Sequence, residues 1–107
     1  MDRLVLVARL KPGARDRARE LIAADSEASG IETNFDRRGI FLAEDEVVFF
    51  FEGEQADESV RSILNDPVRS SAIGPWLPLF DGPLHTAYEA YFWEEGRKTN
   101  PMRARPS

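Results

Sequence analysis

Glu46-Val47-Val48-Phe49-Phe50-Phe51-Glu52, residues 46–52, decides the fold. Successive side chains of a strand point to opposite faces, so a run that is apolar at both parities is covered on both sides. This strand is therefore read as central. Leu4-Val5-Leu6-Val7-Ala8 has the same character, within a first strand over 3–10 that Lys11-Pro12-Gly13 ends. The stretch 33–42 opens Thr33-Asn34-Phe35-Asp36-Arg37-Arg38. It is far more polar and reads as an edge strand, joined to 46–52 by the acidic hairpin connection Ala43-Glu44-Asp45.

Two helical patterns separate these strands. From Pro12-Gly13 to about Asp25, the residues Ala14, Ala18, Leu21 and Ile22 fall on one stripe, while Arg15, Arg17, Arg19 and Glu20 form a solvated face. Ser26 to Gly30 reads as a loop. Asp57 is placed to cap a second helix over about 58–66, with Val60, Ile63 and Leu64 inward. The stretch 67–83 carries Pro67, Pro75, Pro78, Pro83, Gly74 and Gly82, which forbid one regular helix. It also holds Val68, Ile73, Trp76, Leu77, Leu79 and Phe80, so it is expected to pack as short helical turns. A last strand, 84–94, is dense in aromatics.

The resulting order, βαββαβ, predicts an α+β ferredoxin-like fold: a four-stranded antiparallel sheet with two helices on one face and strands one and three central. The domain is expected over 1–95. Residues 96–107 hold Arg97, Lys98, Arg103 and Arg105 with no acid, and read as a flexible basic tail.

Composition narrows the function classes. The chain has 107 residues, one domain by length, and 42% of them are hydrophobic. Its 14 Lys+Arg face 19 Asp+Glu, for a net charge of −5. Without the four basic residues of the tail, ten oppose 19, and the body stands near −9. A nucleic-acid binder would instead show a basic face. No Cys excludes disulfides and thiolate chemistry, and one His excludes a multi-histidine metal centre within one chain. The N-terminal apolar run is too short for a signal peptide or a membrane span, so a cytoplasmic location is expected. There is no Gly-rich phosphate loop, no dinucleotide fingerprint and no nucleophile elbow.

The helices can cover only one face of the sheet, yet the strands are apolar on two. Leu4, Leu6, Ala8 and Leu10, then Val47, Phe49 and Phe51, then Thr86, Tyr88, Ala90 and Phe92 make an uncharged set for the helices. Val5, Val7 and Arg9, then Val48, Phe50 and Glu52, then His85, Ala87, Glu89, Tyr91 and Trp93 make the second set. A monomer would expose that second set as a large apolar patch. A homodimer, its two sheets face to face, is therefore expected.

Leu10-Lys11-Pro12-Gly13 before an Arg/Glu-rich helix, the Pro/Trp-rich segment after the second helix and the aromatic last strand together resemble the dimeric α/β-barrel superfamily, over residues 3–94. Its members include antibiotic-biosynthesis monooxygenases, polyketide cyclases, muconolactone isomerases and haem-degrading enzymes. The resemblance implies a dimeric α/β barrel. It also implies a small hydrophobic or aromatic ligand, and chemistry without a bound cofactor: a monooxygenase, cyclase or isomerase. The alternative is a non-catalytic ligand-binding or interaction module. Haem degradation ranks third, because the single histidine would have to be the axial ligand. A fold shared by so many activities does not supply the function.

His85, the one imidazole, is the candidate proton carrier; its bland reading is a surface histidine at a strand end, with Arg9 brought near by the antiparallel pairing. Asn65 and Arg69 are candidate oxyanion partners, and Trp76 and Tyr88 candidate ring-positioning residues. The resemblance implies such Asn and Trp roles toward an aromatic substrate. Against these stand a helix-ending turn at Asn65-Asp66-Pro67 and a core plug at Trp76. Arg9, Glu52 and Glu89 fall on the expected dimer face. There a carboxylate takes a raised pKa and serves as acid or base, pairs with Arg9 or Arg37 across the subunits, or sits at a hydrated barrel end, with Arg9 and Glu89 counted among the candidate substrate-binding residues. Tyr91 and Trp93 are assigned to the dimer contact.

Overall fold

The computed structural model describes residues 2–27 and 35–95. The expected loop from residue 28, the beginning of the expected second strand at 33–34 and the expected tail at 96–107 lie outside them. The elements are β1 (Asp2–Arg9), α1 (Arg15–Glu27), β2 (Arg37–Leu42), β3 (Glu46–Gly53), α2 (Ala56–Asn65) and β4 (His85–Tyr88), with 3₁₀ turns at Pro67–Arg69 and Gly74–Leu79. The sheet is antiparallel throughout, in the order β2-β3-β1-β4. The two most apolar strands are central and the polar one is an edge. This is the expected α+β ferredoxin-like arrangement.

The helix-facing side carries the core. Leu4, Leu6, Ala8, Val47, Phe49 and Phe51 are all buried there, under Ala18 of α1 and Val60 and Ile63 of α2. Helix α2 lies on β1 and β3, whereas α1 packs on the second 3₁₀ turn. The Pro-rich stretch is thus part of the core. Ile73 is fully buried, and the Trp76 ring meets Phe49 edge-on at 5.1 Å. Gly74 is required there, because a Cβ at that position would stand 2.7 Å from the Val68 carbonyl oxygen. Pairing continues past β1: Lys11 donates its N–H to the Leu79 carbonyl and Leu10 bridges Phe80, locking turn to sheet. At Pro12-Gly13 the chain reverses into α1 with Gly13 at φ +82°, a conformation glycine adopts freely.

Four expectations are corrected. The second strand begins at Arg37, so Phe35 and Asp36, expected within it, precede it. Strand β4 ends at Tyr88 rather than continuing to 94. The strict alternation of faces therefore stops, and Phe92 lies over Arg3 on the second face instead of under the helices. Helix α2 begins at Ala56 after Gln55, so Asp57 sits in its first turn rather than capping it. The Asp57 carboxylate pairs instead with Arg61 at 3.0 Å. Helix α1 reaches Glu27, past the expected loop start at Ser26.

Candidate functional site

Register places Arg37, Glu52, Arg3 and Glu89 side by side across all four strands. Arg37 faces Glu52 on β3 and Arg3 faces Glu52 from β1, while the Glu89 N–H donates to the Arg3 carbonyl just past β4. Opposite charges alternate along the row and every neighbour is paired. Arg37 Nε donates to Glu52 Oε1 at 2.5 Å, Arg3 Nε lies 2.7 Å from Glu52 Oε2, and Arg3 Nη1 donates to Glu89 Oε1 at 2.8 Å. The Phe92 ring closes over the Arg3 guanidinium, 3.7 Å from its centroid.

Glu52 is 3% exposed, an unusual position for a carboxylate, and Arg37 and Arg3 are what make it tolerable. The hydrogen bond from Arg37 holds the Glu52 carboxyl below its ordinary value; burial opposes this, and the charges of Arg37 and Arg3 reinforce it. Reciprocally, Glu52 raises the Arg37 guanidinium. These pairs form within one chain, so the intersubunit pairing and the raised carboxylate considered for Glu52 are both replaced by an internal network.

Two apolar rows follow on the same face: Gly39, Phe50, Val5 and Ala87, then Phe41, Val48, Val7 and His85. Among the described residues no helix lies over them. Phe41 is 62% exposed, and Val5, Val7, Val48 and Phe50 are only partly covered. Where Phe92 overhangs the first apolar row, a slot of about 170 Å³ opens, walled mainly by Val5, Phe50, Ala87 and Phe92, with Arg3 and Glu89 at one end. The cation among its described lining residues, Arg3, is already neutralised by Glu52 and Glu89.

A larger groove, about 610 Å³, lies on the helix side between α2, the first 3₁₀ turn and Phe35, and Arg69 lines it. Among the described residues no group of three or more metal-ligating side chains assembles, and no helix is long and apolar enough to cross a membrane.

The sheet divides the candidate residues named from sequence. His85 is exposed beside Val7 on the second face, with Arg9 exposed on the same face one row further along. Asn65 and Arg69 belong to the helix layer, both exposed, and Arg69 pairs with Asp66 at 3.4 Å. Trp76 is 3% exposed in the core. Tyr88 opposes Leu4 on the helix-facing side at the sheet edge, 58% exposed. Glu89 belongs to the ion row. Thus Arg9, Glu89 and His85 share a face, Asn65 and Arg69 belong to the layer on the other, and the sheet separates His85 from them.

Arg3 is the residue sequence reasoning missed. The signal was present in parity: Arg3, Val5, Val7 and Arg9 share one face of β1, and pairing two central antiparallel strands sets Arg3 against Glu52.

This fold and its doubly apolar sheet define a ferredoxin-like α+β protein. Among solved structures the chain is similar to Rv0793 from Mycobacterium tuberculosis, with a TM-score of 0.54 at 19% identity, covering 89% of this chain and 98% of that one. A candidate antibiotic biosynthesis monooxygenase from Chloroflexus aurantiacus also matches, with a TM-score of 0.45 at 18% identity and the same coverage. At 19% identity the likeness to Rv0793 shows the fold alone. No family model matches the chain, and no curated protein matches it.

Proposed function

We propose that the chain works as a cytoplasmic homodimer, two copies apposing their second sheet faces, and that it binds a small hydrophobic or aromatic metabolite. The observation that carries this reading is the pair of apolar rows around Phe50, Val5, Val48 and Val7, which none of the described residues fully covers. An isolated monomer rarely leaves such a continuous patch in water. The ligand would occupy the slot under Phe92, which a second copy would close. Its walls suit an apolar ring, and a dry apolar cavity of about 150 Å³ is enough to hold benzene. With Arg3 already paired to two carboxylates, the slot favours an uncharged molecule.

The enzymatic form of this proposal is a cofactor-independent monooxygenase, cyclase or isomerase, with His85 moving a proton. Its alternative is a non-catalytic ligand-binding module. The separation of His85 from Asn65 and Arg69 by the sheet favours the alternative, since acid–base chemistry needs its groups within hydrogen-bond reach of one substrate.

Native mass spectrometry of the purified protein, followed by denaturing analysis of anything released, tests both parts. A dimer carrying an aromatic or otherwise apolar small molecule is the expected result. A monomer with nothing bound would defeat the proposal.

A further inference from the structure

The groove on the helix side has a chemistry unlike the slot. Helix α2 lines it with Glu58, Ser59, Ser62 and Ile63, a spacing that brings these residues to one side of the helix, and Asp66 follows at its C-cap. Arg69, Ser70 and Ser71 line it from the first 3₁₀ turn and beyond, and Phe35 completes the lining. Only Phe35 and Ile63 are apolar. The rest are four hydroxyls, two carboxylates and a guanidinium.

Two of these walls are set before any ligand arrives. The Ser70 oxygen accepts N–H bonds from Ala72 and Ile73 at 3.1 and 3.2 Å, its carbonyl accepts from Gly74, and Gly74 has no room for a side chain. The turn is therefore rigid. Because its oxygen already accepts two bonds, the Ser70 hydroxyl proton remains to donate. Phe35 is steadied by the Phe51 ring at 4.7 Å. The hydroxyls of Ser59 and Ser62 have no hydrogen-bond partner among the described residues.

Charge selects among ligands. Arg69 is matched by Asp66 at 3.4 Å, and Glu58 leaves the lining net negative, so an anion is disfavoured despite the serines. A wholly apolar ligand would strand the Ser59 and Ser62 hydroxyls and the carboxylates without water. A molecule that both donates and accepts at many positions, with a C–H face for Phe35, satisfies all of them. We infer that this groove binds an uncharged polyhydroxylated ring, a sugar or cyclitol, through the Ser59, Ser62, Asp66 and Arg69 side chains with Phe35 as platform. The inference stands independently of the pairing of copies, because the groove lies on the opposite side of the sheet.

The test is a ¹H–¹⁵N NMR titration of the full chain with D-glucose and with myo-inositol, beside sodium sulfate and phenol. One of the two polyols is expected to shift the Ser59, Ser62, Asp66 and Arg69 amides, with a dissociation constant on the order of millimolar for so open a site. Ser62→Ala and Arg69→Ala should each weaken binding about threefold to tenfold. Both side chains are exposed, so the folded spectrum should survive both substitutions. Phe50→Asp, on the far face, should leave the affinity unchanged. Shifts from neither polyol, shifts from sulfate or phenol in their place, or polyol binding indifferent to both groove substitutions would overturn it.

Discussion

The two faces of this sheet are built from the same two strands and spend them differently. On the helix side, Leu4, Leu6, Phe49 and Phe51 disappear beneath α1, α2 and the Pro-rich turns. On the other side, Val5, Val7, Val48 and Phe50 remain partly open, and an ion row with Phe92 laid across it closes one end only. A helix layer gives the first face a use that needs no partner. Among the described residues the second face, nearly as apolar, carries no such layer, and the proposed pairing of copies would supply one.

The largest contrast should come from mutating equivalent aromatics on the two sides. Phe51→Ala removes a fully buried ring and is expected to cost about 3–5 kcal/mol in urea unfolding. Phe50→Asp, one residue away on the open face, should leave the monomer folded by circular dichroism while abolishing self-association. If Phe50→Asp instead unfolded the chain, the second face would be core and the contrast would fail.

Next in size is the ion row. Glu52→Gln leaves Arg3 with a weakened partner in a buried place and should cost about 3 kcal/mol, read as a lower urea midpoint at neutral pH. Its pH dependence has a definite sign. Glu52 is held below the ordinary carboxylate value in the folded state, so its stabilisation is complete above the unfolded-state pKa and is lost as pH falls through the folded value. Wild type should thus lose stability on acidification in that window, and the difference between wild type and Glu52→Gln should shrink there. A difference that stayed constant through the acid range would mean the row does not hold Glu52 ionised.

Smaller still is Phe92→Ala, which removes the ring over Arg3 and opens the slot. A loss of about 1 kcal/mol is expected from the cation–π contact, together with loss of any co-purifying apolar ligand. At the bottom of the scale, the exposed Arg17–Glu20 pair on α1 should contribute no more than about 0.5 kcal/mol, so Glu20→Gln serves as a reference for surface substitutions.

How much of this was legible in the sequence follows from how local each signal is. Apolarity at both parities in 47–51 and 4–8 located the central strands, and the polar opening 33–38 pointed to the edge, although only Arg37 and Arg38 of it belong to β2. The packed 3₁₀ turns around Ile73 and Trp76 were visible as apolar residues among prolines. The end of β4 was not: Tyr91, Phe92 and Trp93 have strand propensity, and only the tertiary pull of Arg3 on Phe92 shows that the chain leaves the ladder after Tyr88. The site was less legible for the same reason. Arg3 is one basic residue in a chain with 14 Lys+Arg, and nothing marks it until register sets it between Glu52 and Glu89. His85 stood out because it is chemically singular, yet singularity says nothing about neighbours, and its neighbour on β1 is Val7.

The pairing of two open faces is tested most directly by sedimentation velocity of the full chain at about micromolar concentration, the range of specific association, run beside Phe50→Asp. Wild type should sediment at twice the 12.1 kDa chain mass and the variant at once that mass. A wild-type monomer, or a dimer that Phe50→Asp leaves intact, would contradict the assignment of the second face as the surface where two copies meet.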